Sequence, residues 1–318
     1  MSKSIGNVVN PDKIVEEYGS DVLRLWALSS NFKNDVNIGP EIIKQIAENR
    51  RKIRNTLRFI LGNLTGYAES RNGKYKEFRW IDKLMLRRLK EFNENCNKAR
   101  DSYDFPALVQ YLCHFCAQDL SAFYFEVLKD RLYTEPIGSP LRLGAQEVLM
   151  RILTALMDKI EVILPFLSDE IKEHQNTIVK DFCDKEEVEL EGFEWIQKIR
   201  SSFLDWFNAK GKSELNVKTT FQLDLKVIAP FEFRSQLTFE DFKEIFMVAK
   251  VDLSFGEKFE IVEIKASDRL KCSRCWTFNS LEIEELCPTC EKQIGETSET
   301  KEFVEVNDSK SATATFPF

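Results

Sequence analysis

Four cysteines are spaced to hold one metal ion. Cys272-Ser273-Arg274-Cys275 and Cys287-Pro288-Thr289-Cys290 are two C-x-x-C turns separated by 11 residues. Each turn lets two thiolates converge on one ion, and the pair completes tetrahedral S4 coordination, which suits zinc. Iron or a redox dithiol is the alternative chemistry. Four closed sulfur ligands leave no open position for a substrate, so the expected role is structural. A module of about 50 residues buries too little surface to fold securely alone. Metal binding worth about 10 to 16 kcal/mol in small zinc modules would supply the difference. Cys113 and Cys116 form a third C-x-x-C around His114. On a continuous helix with aromatic neighbours they read as small buried hydrophobes. His114 and His174 are the only histidines, which argues against a histidine-based metal site or triad.

Two further stretches carry chemistry. Ser2-Lys3-Ser4-Ile5-Gly6 offers one fixed positive charge, two hydroxyls and backbone N–H groups able to close over phosphates. A polar chain end of similar composition with no such role is the alternative. Between residues 44 and 58, Lys44, Arg50, Arg51, Lys52, Arg54 and Arg58 face only Glu48. This is either a basic stripe or the solvated face of an ordinary amphipathic helix.

The elements that must position these groups are mainly helices. Asn10-Pro11-Asp12 is a turn signal, after which Ile14, Val15, Tyr18, Val22, Leu25 and Trp26 recur at helical spacing. Gly39-Pro40 restarts the chain with proline at a first helical position, and an apolar face then runs to about Leu64. Further amphipathic segments run from Ile81 to about Asp101, from Asp104 to Tyr133, and from Leu141 to about Val162. Ser168-Asp169-Glu170 is positioned to cap the next turn. This pattern predicts an antiparallel helix bundle. One more helix is expected over roughly Trp195 to Lys210, a strand over Val217 to Ile228, a short helix over Phe239 to Val248 and a strand over Phe259 to Ile264.

A chain of 318 residues should form two or three domains. Its net charge of −7 argues at first against a nucleic-acid partner, but eight glutamates against two lysines between Glu282 and Glu305 supply nearly all of it. No apolar run approaches the roughly 18 residues of a membrane span. The polar start gives no sign of secretion, so a reducing compartment is expected.

The run MSKSIGNVVNPDKIVEEYGSDVLRLWALSSNFKNDVNI resembles the signature loop and following helices of class I aminoacyl-tRNA synthetases, nearest to the isoleucyl enzymes. The loop of that family reads Lys-Met-Ser-Lys-Ser, and its first lysine would precede Met1. The chain is therefore expected to begin inside the motif and to lack the catalytic domain that precedes it. Arg50-Arg51-Lys52-Ile53-Arg54-Asn55-Thr56-Leu57-Arg58-Phe59 resembles the opening helix of the isoleucyl anticodon-binding domain, where such a face lies near the tRNA backbone. Cys-Ser-Arg-Cys-Trp followed by Cys-Pro-Thr-Cys resembles the C-terminal zinc module of the bacterial-type members.

The resemblance implies ATP-dependent charging of an isoleucine-accepting tRNA. Lys3, assisted by Ser2 and Ser4, would stabilise charge on the departing pyrophosphate, an effect on the order of a few kcal/mol for a well-aimed donor. Arg50, Arg51, Arg54 and Arg58 would contact the tRNA backbone. Arg274 and Trp276 would meet unstacked anticodon bases; alternatively Trp276 packs over the zinc turn and Arg274 is solvated. The implied division is a signature loop with connecting helices (1–39), a helical anticodon-binding domain (40–194), a small α/β region (195–265) and a zinc module with a flexible tail (266–318). A separate catalytic portion is an implied partner, so the chain alone is expected to be inactive. A monomer in the cytoplasm, or in the mitochondrial matrix, is expected. The rival readings are a non-catalytic zinc-containing RNA-binding protein and a fragment of a valyl- or leucyl-type synthetase.

Overall fold

The computed structural model describes residues 9–67, 76–175, 193–234, 237–275, 277–280, 285–288, 290, 291 and 294. Prolines and polar caps set the helix starts. Asn10 accepts a hydrogen bond from the Asp12 amide at 3.0 Å and opens α1 (Pro11–Tyr18). Gly19, at φ +85°, then turns the chain into α2 (Ser20–Ser29), a conformation that would strain any other residue. Pro40 begins α3 (Pro40–Asn63), and α4 spans Trp80–Asp101. Asp104 accepts from the Ala107 amide at 3.2 Å to cap α5 (Phe105–His114). Ser139 does the same for α7 (Pro140–Ile163) through the Arg142 amide. Between them the helix runs through a π-helical stretch (Phe115–Tyr124) into α6 (Phe125–Thr134). The single amphipathic segment expected after Asp104 is thus one run with a widened middle.

Contacts divide the chain into two units, Met1–Leu132 with Ile137–Ser202, and Tyr133–Pro136 with Phe203–Phe318. In the first, α3 packs on the π-helical stretch, α7 and α8 (Pro165–Gln175), and α4 packs on α5 and α7. The core joins Ile53, Leu57 and Ile60 of α3 to Leu84 and Leu89 of α4 and Val148, Ile152 and Leu156 of α7, all buried. Each such side chain contributes roughly 1.5 to 3 kcal/mol by leaving water. Stacked rings, Phe59 on Phe125 at 4.2 Å and Phe92 on Phe115 at 4.4 Å, lock the π-helical stretch and its flanks.

Two ionic groups are buried in this core. Arg131 holds both oxygens of Asp82 at 2.7 and 2.9 Å, and Asp82 also accepts from the Tyr124 hydroxyl and the Arg79 amide. Glu147 accepts from the Tyr67 hydroxyl, Lys76 and Arg151. Burial by itself would raise the Glu147 carboxyl; the bonds from Lys76 and Tyr67, with the Arg151 charge, outweigh it and hold it below the usual carboxylate range.

One expected cap is corrected. Ser168 lies buried inside α8, which starts at Pro165. The free amides of Phe166 and Leu167 donate instead to the carboxylate of Asp21 in α2, at 3.3 and 2.9 Å. An acid near a helix N-terminus also meets the positive end of its dipole.

In the second unit, Phe203 and Phe207 are buried at the end of α9 (Phe193–Trp206) and in the short π-helical turn after it. A three-stranded sheet follows. β1 (Leu223–Pro230) is central, pairing parallel with β2 (Lys250–Gly256) and antiparallel with β3 (Glu260–Ala266). The crossover between β1 and β2 carries α11 (Phe239–Phe246), after the short α10 (Lys212–Glu214) earlier in the chain. The expected strand Val217–Ile228 is shorter at its start. Residues 217–222 instead form turns in which the Gln222 side chain accepts from the Lys218 and Thr219 amides. No described helix is long and apolar enough to cross a membrane.

Candidate metal centre and nucleic-acid interface

The first cysteine pair sits in the turn of a two-stranded hairpin, β4 (Leu270–Lys271) against β5 (Phe278–Ser280). The Cys272 amide donates to the Thr277 carbonyl at 2.9 Å and closes that turn. The second pair follows in a turn in which the Glu291 amide donates to the Cys287 carbonyl at 3.0 Å. A backbone bond from Ser273 to Glu285 and one from the Cys287 amide to the Cys272 sulfur, at 3.3 Å, join the two turns.

All four sulfurs of Cys272, Cys275, Cys287 and Cys290 lie within 4.8 Å of one another. Cys275 and Cys287 are 3.8 Å apart, which matches the edge of about 3.8 Å that four bonds of 2.3 Å define in a zinc tetrahedron. Burial raises the Cys272 thiol, but amides of Cys275, Cys287 and Arg274 donating to its sulfur prevail and bring it down to about 6. Burial keeps Cys290 up, at about 11, against a bond from Arg274, and raises Cys275 as well. A sulfur prepared as thiolate beside two thiols held up by burial is a set that a cation would complete, since metal ligation removes the remaining protons.

The other predicted residues fall differently. Ser2, Lys3 and Ser4 lie outside the described residues, as does Trp276. Arg274 is exposed and donates to the Thr134 carbonyl at 2.7 Å. The arginines of α3 do not form one open face. Arg54 grips both oxygens of Glu170 at 2.8 and 3.0 Å, Arg51 pairs with Glu48, and Arg50 stands 3.8 Å from Asp21. The Arg54 guanidinium holds the Glu170 carboxyl below its ordinary range. Arg58 is exposed, and neither it nor Lys52 makes an ion pair among the described residues. Cys116 is buried and Cys113 half-buried; burial raises both thiols, that of Cys113 to about 11.

A cleft of about 490 Å³ opens between α3, α5 and the start of the π-helical stretch. Its polar lining includes Asn49, Lys52, Gln110 and Gln118. Sequence reading passed over the three carboxamides. Each is one polar residue on the outer face of an amphipathic segment, and only the packing of separate helices brings them together.

Comparison with known proteins places this geometry. The model for the anticodon-binding domain of tRNA ligase matches residues 82–227, and that for class I tRNA synthetases (I, L, M and V) matches residues 1–39. An isoleucine–tRNA ligase of Kosmotoga olearia is 34% identical over 91% of this chain and 34% of its own length. Those of Thermotoga neapolitana, at 35% identity over 91% of this chain, and Brachyspira hyodysenteriae, at 33% over 92%, are similar. The chain spans about a third of the length of the curated relatives it matches.

Proposed function

From a chain homologous to isoleucine–tRNA ligases over nine-tenths of its length, we infer the tRNA-binding part of such an enzyme, joined to its ATP-phosphate loop. The observation that carries this is the match of residues 82–227 to an anticodon-binding domain, a span that takes in helices α4 to α8 of the first unit and runs on into β1. The reading keeps the division into a signature loop (1–39), a helical anticodon-binding domain (40–194), a mixed region (195–265) and a metal module (266–318).

Lys3, with Ser2 and Ser4, would face the phosphates of ATP while the isoleucine carboxylate attacks the α-phosphorus and pyrophosphate departs. A fixed lysine there would stabilise the growing charge. Such a loop works only on bound substrates. The 318-residue chain assayed alone should therefore show no isoleucine-dependent ATP–pyrophosphate exchange above a Lys3→Ala control. In the metal module, Cys272, Cys275, Cys287 and Cys290 would hold one zinc ion, which supplies cross-linking and no step of the reaction. Arg58 and Lys52, which make no ion pair among the described residues, would meet RNA phosphates, which position the molecule without reading it.

Binding of labelled transcripts tests the reading. The chain should bind an isoleucine-accepting tRNA more tightly than a tRNA of another specificity, with affinity falling as salt rises. Equal binding of all structured RNAs would favour a general RNA-binding protein, and no binding would end the proposal.

A further inference from the structure

The cleft beside α3 differs from the rest of that helix in how its polar groups are used. Arg50, Arg51 and Arg54 are engaged by Asp21, Glu48 and Glu170. By contrast, the side chains of Asn49, Lys52, Gln110 and Gln118, which line the cleft, have no hydrogen-bond partner among the described residues. Three carboxamides and one ammonium thus converge uncommitted, and no carboxylate lines the space with them. A carboxamide offers two donors and an acceptor in a plane, the complement of a base edge. The Lys52 charge is felt by Glu48 four residues earlier, but that carboxylate is bonded to Arg51, so the ammonium can still meet an anion in the cleft.

The remaining walls suit a flat ring. Ile53, Val109 and Ala117 supply apolar surface. The volume of about 490 Å³ is within the range of small-ligand sites. Ala117 and Gln118 stand on the π-helical stretch Phe115–Tyr124. Its altered bonding is matched by hydroxyls: Ser121 donates to the Cys116 carbonyl at 2.8 Å, and Thr56 of α3 lies 3.4 Å from the same oxygen. Stretches of this kind recur at functional sites, because the extra residue per turn redirects side chains.

We propose that this cleft receives one unstacked nucleotide of the bound RNA, its base edge read by Asn49, Gln110 and Gln118 and its phosphate held by Lys52. The inference rests on the tRNA-binding reading above. RNA is read by sequence mainly where bases are unpaired and can be turned outward. The cleft is sized for one such base, while the arginines around it are already occupied.

The test uses the full chain, an isoleucine-accepting tRNA transcript and a fully paired RNA duplex of similar length. Asn49→Ala and Gln110→Ala should each weaken tRNA binding by about five- to a hundredfold, the range for losing a bidentate base contact. Duplex binding should stay as in the parent. Lys52→Ala should weaken both and reduce the salt dependence by about one charge. These side chains hold nothing in the fold, so the variants should unfold at the parent's temperature; Gln118→Ala gives a second carboxamide readout if one does not. Parent-like tRNA binding by the carboxamide variants would overturn the proposal. So would saturable binding of free adenosine or uridine monophosphate that the variants abolish while tRNA affinity is unmoved, which would make the cleft a small-molecule site. Failure of the parent itself to bind tRNA would instead remove the reading on which the proposal stands.

Discussion

In the helical unit, Asp82 and Arg131 are bonded to each other and buried, as are Trp80, Leu84, Tyr124 and Leu128 in the same segments of chain. In the cysteine module, the buried cluster is Cys272, Cys287 and Cys290, with Cys275 and Leu286 packed against it. One region has hydrocarbon to spare and can afford buried charge. The other has almost none, and its centre consists of groups that repel one another once they ionise. A region of the second kind needs a cation for its fold, whereas the first needs only its own packing.

Removing the metal should separate the two most sharply. Chelation, or Cys272→Ser, should cost the module a binding free energy of about 10 to 16 kcal/mol and expose it to protease. The helical signal of the first unit should persist. Elemental analysis showing no metal in protein purified without chelator, or equal protease resistance with and without it, would break the comparison.

Within the helical unit the largest effect should come from Asp82→Ala. It strands the Arg131 guanidinium without its partner, at a cost of roughly 3 to 5 kcal/mol in urea unfolding of the helices. Metal content should not change. A loss below about 1 kcal/mol would mean that water reaches the pair.

Gly144→Ala comes next. A Cβ there would lie 2.0 Å from the Glu77 carbonyl oxygen, a backbone atom that cannot swing aside. The clash should outweigh alanine's better helix propensity and cost about 1 to 3 kcal/mol net. A stabilised variant would show that residues near Glu77 yield easily.

A smaller effect should appear as pH dependence. The Glu147 carboxyl titrates lower in the folded chain than its ordinary value of 4.5. Its contribution is therefore present above that value and is lost as pH falls through the lowered one. Glu147→Gln should flatten the decline of helical stability in acid, measured as unfolding midpoint against pH. An unchanged slope would reject the assignment.

The smallest should be Arg54→Ala. Its pair with Glu170 is partly exposed, so stability should fall by about 1 kcal/mol or less. Because Arg54 is bonded to Glu170 and Arg58 makes no ion pair among the described residues, Arg58→Ala should reduce the salt dependence of tRNA binding more than Arg54→Ala does. The reverse order would show that the RNA displaces Glu170.

Several parts of this protein were legible in the sequence. Pro40 marks a helix start because a missing amide is harmless at a first helical position. The apolar spacing of Ile53, Leu57 and Ile60 puts them on one face whatever they pack against, and all three are buried. Within each cysteine pair the sulfurs converge because a C-x-x-C turn brings its own two sulfurs together. These are consequences of bonds and contacts within about four residues, which the order of residues fixes directly.

Only the tertiary structure decided the rest. The carboxylate of Asp21 caps a helix 145 residues later, and Glu170 claims an arginine 116 residues earlier that local charge alone would leave in solvent. Asn49, Gln110 and Gln118 meet in one cleft only because α3 and the run from α5 into the π-helical stretch pack side by side. Nothing in a helical period tells a polar residue on the outer face which other helix will lie beside it. That choice depends on how the apolar faces fit together, and the polar partners follow from it.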